Sequence, residues 1–158
     1  MRYAAIETND YINGEGVCVS FWVQGCPHRC EGCHNPESWN FAGGQELPND
    51  YRGNIIKAIS ENGITRNFSV LGGEPLCLEN IDLTYEAIET VRTAYPNIKI
   101  FLWTGYYLED IKENPMVQKI LNKIDVLIDG PFIKEKRDIT LKLRGSTNQR
   151  ILYRGIDF

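Results

Sequence analysis

The chain has 158 residues, of which 42% are hydrophobic and 24% charged, and its net charge is −4 at neutral pH. These values are ordinary for one globular domain that buries a core without disulfide bonds, so we expect a single domain over residues 1–158. The negative charge argues against nucleic acid as a partner, because phosphate binding favours a basic surface. No signal peptide and no apolar run of about 18 residues is visible, so we expect a cytoplasmic protein with no membrane partner.

Taken in chain order, the hydrophobic residues alternate between strand-like and helix-like spacing. The predicted strands cover residues 2–8, 17–24, 68–71, 98–103 and 124–128. The predicted helices lie between Pro48 and Asn62, over 81–94, and over 108–122 with a break before Pro115. This βαβα order predicts an α/β fold with a mainly parallel sheet. The pattern weakens after Phe132.

Four polar or glycine-containing segments each follow a predicted strand. They are the cysteine loop C-P-H-R-C-E-G-C at residues 26–33, G-G-E-P at 72–75, W-T-G-Y at 103–106 and I-D-G-P at 128–131. The carboxyl ends of parallel strands lie at one edge of a sheet, where α/β proteins bind ligands. The sequence therefore predicts one binding site built from these four segments.

The cysteine loop places three thiols, Cys26, Cys30 and Cys33, within eight residues. A [4Fe–4S] cluster normally takes four thiolates, so three would leave one iron free for a ligand that is not protein. A zinc site with His34 as the fourth ligand is an alternative, in which the chain would be a non-catalytic interaction module. A disulfide framework is disfavoured because the number of cysteines, five, is odd.

The other thiols, and the histidine inside the loop, receive no functional role. Cys18 lies within a predicted strand and Cys77 follows the G-G-E-P segment, so both are expected to pack in the core. His28 lies between two cysteines of the loop and is expected to be exposed. The predicted iron ligands are therefore the three loop thiols alone.

The G-G-E-P segment is compatible with two interpretations. Gly72 and Gly73 would allow the backbone to approach a ligand closely, and Glu74 would accept hydrogen bonds from a cationic group such as an amine. A plain turn from a strand to a helix would use the same residues. The tetrapeptide alone leaves both interpretations open, and it becomes specific only together with the cysteine loop.

With both motifs present, the sequence resembles the radical S-adenosylmethionine superfamily, which combines C-x₃-C-x₂-C with a G-G-E-P-type segment. It is most similar to the activating proteins of anaerobic ribonucleoside-triphosphate reductase, which are glycyl-radical-activating enzymes. The matching segments span nearly the whole chain and cover residues 21–39, 72–76, 103–106, 125–130 and 143–150. The G-E-G turn at residues 14–16 instead resembles the 7-carboxy-7-deazaguanine synthases, which remain the alternative interpretation.

The resemblance implies a partial (incomplete) β/α barrel and a [4Fe–4S] cluster held by Cys26, Cys30 and Cys33. It also implies an enzyme that reductively cleaves S-adenosyl-L-methionine, bound at the open iron, to a 5′-deoxyadenosyl radical. That radical would generate the glycyl radical on the large subunit of anaerobic ribonucleoside-triphosphate reductase, the expected partner. A low-potential electron donor such as flavodoxin or ferredoxin would be a second partner.

The resemblance also assigns residues to the S-adenosylmethionine site, although the cofactors rather than side chains would supply the chemistry. Glu74 would bind the methionine ammonium group. Thr104 and Asp129 would lie near the methionine carboxylate or a monovalent cation, and a structural role for Asp129 is an equal alternative. Close backbone contacts to the methionine and contacts along the adenosine would come from Gly72, Gly73, Gly32, Cys33 and His34.

Overall fold

The computed structural model describes all 158 residues, and its central element is a seven-stranded sheet. The strands are β1 Arg2–Asp10, β2 Cys18–Val23, β3 Gln45–Glu46, β4 Asn67–Gly72, β5 Ile100–Trp103, β6 Val126–Asp129 and β7 Arg150–Tyr153. The helices are α1 Tyr51–Ile59, α2 Ile81–Ala94, α3 Leu108–Ile111 and α4 Pro115–Leu121. Helix α2 has the predicted bounds, and the predicted break before Pro115 separates α3 from α4.

The strands lie in the order β3-β1-β2-β4-β5-β6-β7. The four central strands, β2, β4, β5 and β6, are parallel, and β1, β3 and β7 add antiparallel edges. The predicted α/β fold with a mainly parallel sheet is confirmed. The outermost strands β3 and β7 are not paired with each other, so the sheet is open. The partial barrel implied by the resemblance stays a prediction.

The helices pack on one face of the sheet. Successive strand residues point to opposite faces, and in β2 this places Phe21 and Val23, both fully buried, in a core of 22 residues that includes side chains of all four helices. The opposite face carries a smaller core of Phe101, Val126 and Ile128. The candidate site lies on this second face.

Irregular segments cover the second face. Residues 11–17, which connect β1 to β2, fold over it, and a Cβ on Gly14 would come within 2.5 Å of the Cys18 sulfur. Farther along the chain, Leu143 in a loop and Ile151 in β7 pack against the smaller core. Because loops and a short strand rather than long helices cover this face, they leave room for a cavity beside the strand ends.

Strand β7 was not predicted from the sequence. Its four residues follow a polar stretch with no periodic pattern, and they pair antiparallel with β6 so that Arg150 lies opposite Asp129. The strand forms because of this distant partner rather than because of its own spacing. No helix of the chain is long and apolar enough to cross a membrane.

Candidate functional site

The structure brings the four polar segments together around one cavity of about 470 Å³ at the carboxyl ends of the parallel strands. This volume lies within the range of small-molecule sites, about 300–1,000 Å³. Apolar side chains line the part of the cavity next to the sheet, among them Trp22, Leu71 and Trp103. Of the residues assigned from the sequence, those that line the cavity are Cys26, Cys30, Cys33, His34, Gly72, Gly73, Glu74 and Thr104.

The cysteine loop is anchored at its base by backbone hydrogen bonds. The N–H of Gly25 donates to the carbonyl of Ser38 at 2.7 Å, and the N–H of Cys26 donates to the carbonyl of Trp39 at 3.1 Å. Gly32 has a φ of 77°, a left-handed conformation that favours glycine, and it lets the chain turn between the second and third thiols. The loop therefore has a fixed start and a built-in turn.

The three loop thiols are free and partly exposed toward the cavity. Burial raises the pKa of both the Cys26 and the Cys30 thiol, so a bound metal would have to replace a proton at these sulfurs. Cys18 and Cys77 are buried as predicted. Burial also raises the pKa of Cys77, to about 12, so this thiol stays protonated and packs in the core.

The two glycines of the G-G-E-P segment pack against the base of the cysteine loop. A Cβ on Gly73 would lie 2.2 Å from the carbonyl oxygen of Gly25, and one on Gly72 would lie 2.6 Å from the carbonyl oxygen of Val23. Backbone hydrogen bonds close the contact, since the N–H of Glu74 donates to Gly25 at 2.8 Å. The glycines thus fix the cysteine loop relative to β4, and they also line the cavity.

Glu74 is the most heavily hydrogen-bonded side chain of the site and is only 1% exposed. Its Oε2 accepts from the N–H of Leu76 at 2.8 Å and from the hydroxyl of Thr104 at 2.8 Å. Its Oε1 accepts from the N–H of Gly105 at 2.6 Å and lies 2.7 Å from His28 Nε2. This carboxylate joins the G-G-E-P, W-T-G-Y and cysteine segments at one point.

The expectation that His28 is exposed is wrong. Its side chain is 17% exposed, its ring packs edge-on against Tyr106 with centroids 4.5 Å apart, and it faces Glu74. A Cβ on Gly105 would come within 2.6 Å of the His28 ring. The glycine of W-T-G-Y, which had no assigned role, therefore leaves space for the imidazole.

The geometry gives no support to the alternative zinc site. The His34 ring packs against Phe132, with centroids 5.2 Å apart. Ligands of one zinc ion lie about 2.0–2.3 Å from it, and no three His, Cys, Asp or Glu side chains are grouped closely enough to hold a single metal ion. In a [4Fe–4S] cluster each thiolate binds a different iron, so the thiols stand farther apart.

Asp129 and Gly32 do not line the cavity. Asp129 is fully buried, and its carboxylate accepts from Arg150 at 2.5 and 3.0 Å and from the N–H of Leu108 at 2.8 Å. Hydrogen bonding to Asp129 raises the pKa of the Arg150 guanidinium. Of the two roles considered for Asp129, these contacts favour the structural one.

Residues 141–149 form a wall of the cavity that was not predicted. Trp103 Nε1 donates to the carbonyl of Leu143 at 2.7 Å and holds this wall against β5. Arg144 donates to the carbonyl of Gln149 at 2.8 Å and brings a positive charge to the cavity lining, while its buried Nε has no partner. The available signal was the segment R-G-S-T-N-Q-R, which entered the resemblance without a role.

Comparisons with known proteins show which family the chain is similar to. A family model described as a 4Fe-4S single cluster domain matches residues 12–152. The chain is 36% identical over 155 residues to the anaerobic ribonucleoside-triphosphate reductase-activating protein of Pasteurella multocida (strain Pm70), covering 98% of each chain. The protein of the same name from Enterobacteria phage T4 is 38% identical, over 96% of this chain and 93% of its own. The one from Escherichia coli (strain K12) is 33% identical, over 94% of this chain and 96% of its own.

Proposed function

The chain belongs to the family of anaerobic ribonucleoside-triphosphate reductase-activating proteins, and we propose that it is an iron–sulfur enzyme that activates such a reductase by radical S-adenosylmethionine chemistry. The observation that carries this proposal is the group of three free, partly exposed thiols on the wall of a cavity whose lining has no other cysteine or methionine. Three thiolates satisfy three irons of a cluster that needs four ligands, which leaves one iron for S-adenosylmethionine.

The reaction is a one-electron reduction followed by a hydrogen transfer. Cys26, Cys30 and Cys33 would hold the cluster, which would supply to the sulfonium of S-adenosylmethionine one electron taken from a low-potential donor such as flavodoxin or ferredoxin. Cleavage of the S–C5′ bond would release methionine, and the resulting 5′-deoxyadenosyl radical would take a hydrogen atom from a glycine of the reductase. The chain itself binds, orients and shields these groups.

Each part of the cavity wall has a role in this proposal. Cys26, Cys30 and Cys33 would hold the cluster, and the rigid base of their loop would fix the start of the loop relative to the cavity. Glu74 binds the ammonium group of the methionine part, next to the Thr104 hydroxyl. The adenosine part lies along Cys33 and His34, with Gly32 behind them outside the cavity lining, and Gly72 and Gly73 serve mainly to set the loop against β4. Asp129 contributes through its ion pair, which supports the end of β6.

The surroundings of the cavity suit a polypeptide substrate. Among the large hydrophobic residues that remain exposed are Tyr11 at 73% and Ile12 at 81%, and Ile12 borders the cavity. On the opposite loop, Ile139 is 84% exposed and lies two residues before the lining residue Leu141. A reductase loop that carries the target glycine would cover these side chains and exclude water from the radical.

The proposal is tested with anaerobically reconstituted protein. A brown protein that absorbs near 400 nm, reduced and given S-adenosylmethionine, should release methionine and 5′-deoxyadenosine. With the large subunit of the matching reductase added, electron paramagnetic resonance should detect a glycyl radical. Turnover of 6-carboxytetrahydropterin without that radical would overturn the proposal in favour of a deazaguanine synthase, and a colourless zinc protein would remove the enzyme altogether.

A further inference from the structure

Both carboxylate oxygens of Glu74 already accept two hydrogen bonds each. The donors are the N–H groups of Leu76 and Gly105, the hydroxyl of Thr104, and the imidazole of His28. A carboxylate offers about four lone-pair sites, and this one is 1% exposed. An ammonium group therefore reaches Glu74 only if one of these four donors leaves.

Three of the four donors are fixed in place. Leu76 and Gly105 donate from the backbone of the turns that follow β4 and β5, so they move only if the chain itself moves. The Thr104 side chain is buried, and its hydroxyl also accepts from the N–H of Tyr106 at 3.2 Å. His28 is the one donor on a long side chain in a loop. Its side chain is 17% exposed, so the ring can rotate toward solvent.

The His28 ring also occupies a socket that fits it. Tyr106 contacts the ring edge-on, and the absence of a side chain at Gly105 leaves the space that the imidazole fills. A Cβ at position 105 would lie 2.6 Å from Cδ2 and 2.7 Å from Nε2 of His28. The backbone of Gly105 does not have a positive φ, so alanine there would displace the ring without straining the chain.

We propose that His28 is a positioning residue that occupies the ammonium site of Glu74 and is displaced when a cationic ligand binds, which rests on the proposed function of this site. Binding then breaks the 2.7 Å contact between His28 and Glu74 and forms a contact between Glu74 and the ligand. Since His28 lies between the iron ligands Cys26 and Cys30, ligand binding also removes the side-chain contact between the cysteine loop and Glu74, while the backbone hydrogen bond from Glu74 to Gly25 stays.

The test is the affinity of the cluster-loaded protein for S-adenosylmethionine, measured by anaerobic titration calorimetry. His28→Ala should bind about tenfold more tightly, because the ligand no longer competes with a hydrogen bond to a charged group. His28→Leu, which keeps an apolar side chain against Tyr106 but cannot donate to Glu74, should shift the affinity in the same direction. Glu74→Gln should instead bind roughly tenfold more weakly. Gly53→Ala, where a Cβ meets nothing within 4 Å, is the control and should match the wild type.

The signs of these shifts decide the proposal. A residue that only stabilised the loop would weaken binding when lost, so unchanged or weaker affinity in His28→Leu with a full cluster would overturn the proposal. If His28→Ala alone loses the cluster, His28→Leu still decides. Loss of the cluster in both variants would also overturn it, because the imidazole would then have to stay in place to hold the loop. Wild-type protein that binds no S-adenosylmethionine would instead refute the proposed function.

Discussion

Replacing Gly73 by alanine should separate the cysteine loop from the end of β4. The added Cβ would lie 2.2 Å from the carbonyl oxygen of Gly25, whereas real Cβ atoms stay beyond 3.0 Å, so the two backbones must part by about 0.8 Å. Both contacting groups are backbone, so no rotamer change relieves the clash. Two backbone hydrogen bonds cross this contact, from Gly73 N–H to the carbonyl of Val23 and from Glu74 N–H to the carbonyl of Gly25. Overpacking costs about 1–3 kcal/mol, and weakening each hydrogen bond costs about 0.5–1.5 kcal/mol.

The free energy of unfolding of Gly73→Ala should therefore fall by about 2–6 kcal/mol, and its iron content should fall because the loop base has moved. Denaturant unfolding of the metal-free chain measures the first effect, and iron analysis after reconstitution measures the second. Gly53→Ala in α1 is the matched control and should be slightly more stable than the wild type, by up to about 1 kcal/mol. A Gly73→Ala variant with wild-type stability and a full cluster would refute the packing role of the two glycines.

The other predictions concern the iron ligands, pH and the partner surface. Alanine at Cys26, Cys30 or Cys33 should abolish cluster binding, whereas alanine at Cys18 or Cys77 should retain it; a cluster that survives without Cys30 would contradict the ligand assignment. Burial of Asp125 acts to raise the pKa of its carboxyl group. The hydrogen bonds from the N–H of Ile100 and from the Arg92 guanidinium outweigh this effect and hold the pKa below its ordinary value. The native state thus favours ionised Asp125, so the free energy of unfolding should fall as pH drops below about 4. Denaturant titrations should show a smaller loss in Asp125→Asn. An unchanged pH profile in that variant would show that Asp125 contributes nothing. Ile139→Asp should reduce the glycyl-radical yield on the reductase but not S-adenosylmethionine cleavage by the protein alone. The control is Ile156→Asp, at an equally exposed position, which should change neither quantity. Equal losses in both variants would contradict a docking role for Ile139.

The parallel core was predictable because its signals are local. Helix α2 has apolar residues at helical spacing between two turn segments, and its bounds match the prediction. Strands β2, β4, β5 and β6 are short apolar runs, each followed by glycine or a polar residue. The meeting of the cysteine loop, G-G-E-P and W-T-G-Y at one edge follows from parallel topology alone.

The remaining features depend on contacts between residues far apart in the sequence. The spacing of His28 in its loop cannot show that its ring reaches Glu74, 46 residues later. The glycines of G-G-E-P suggested an approach to a ligand, but the space they leave is largely filled by the backbone of Gly25. Asp129 at a strand end resembled a ligand-binding residue until β7 brought Arg150 onto its carboxylate.

The central claim, that this chain removes a hydrogen atom from a reductase glycine by way of S-adenosylmethionine, is tested most directly by isotope transfer. The matching reductase is prepared with glycine deuterated at the α-carbon and activated by the reduced, cluster-loaded chain. The released 5′-deoxyadenosine should carry one deuterium atom, and its amount should rise in proportion to the glycyl radical signal. Unlabelled 5′-deoxyadenosine formed together with a full glycyl radical signal, or no radical at all, would contradict it.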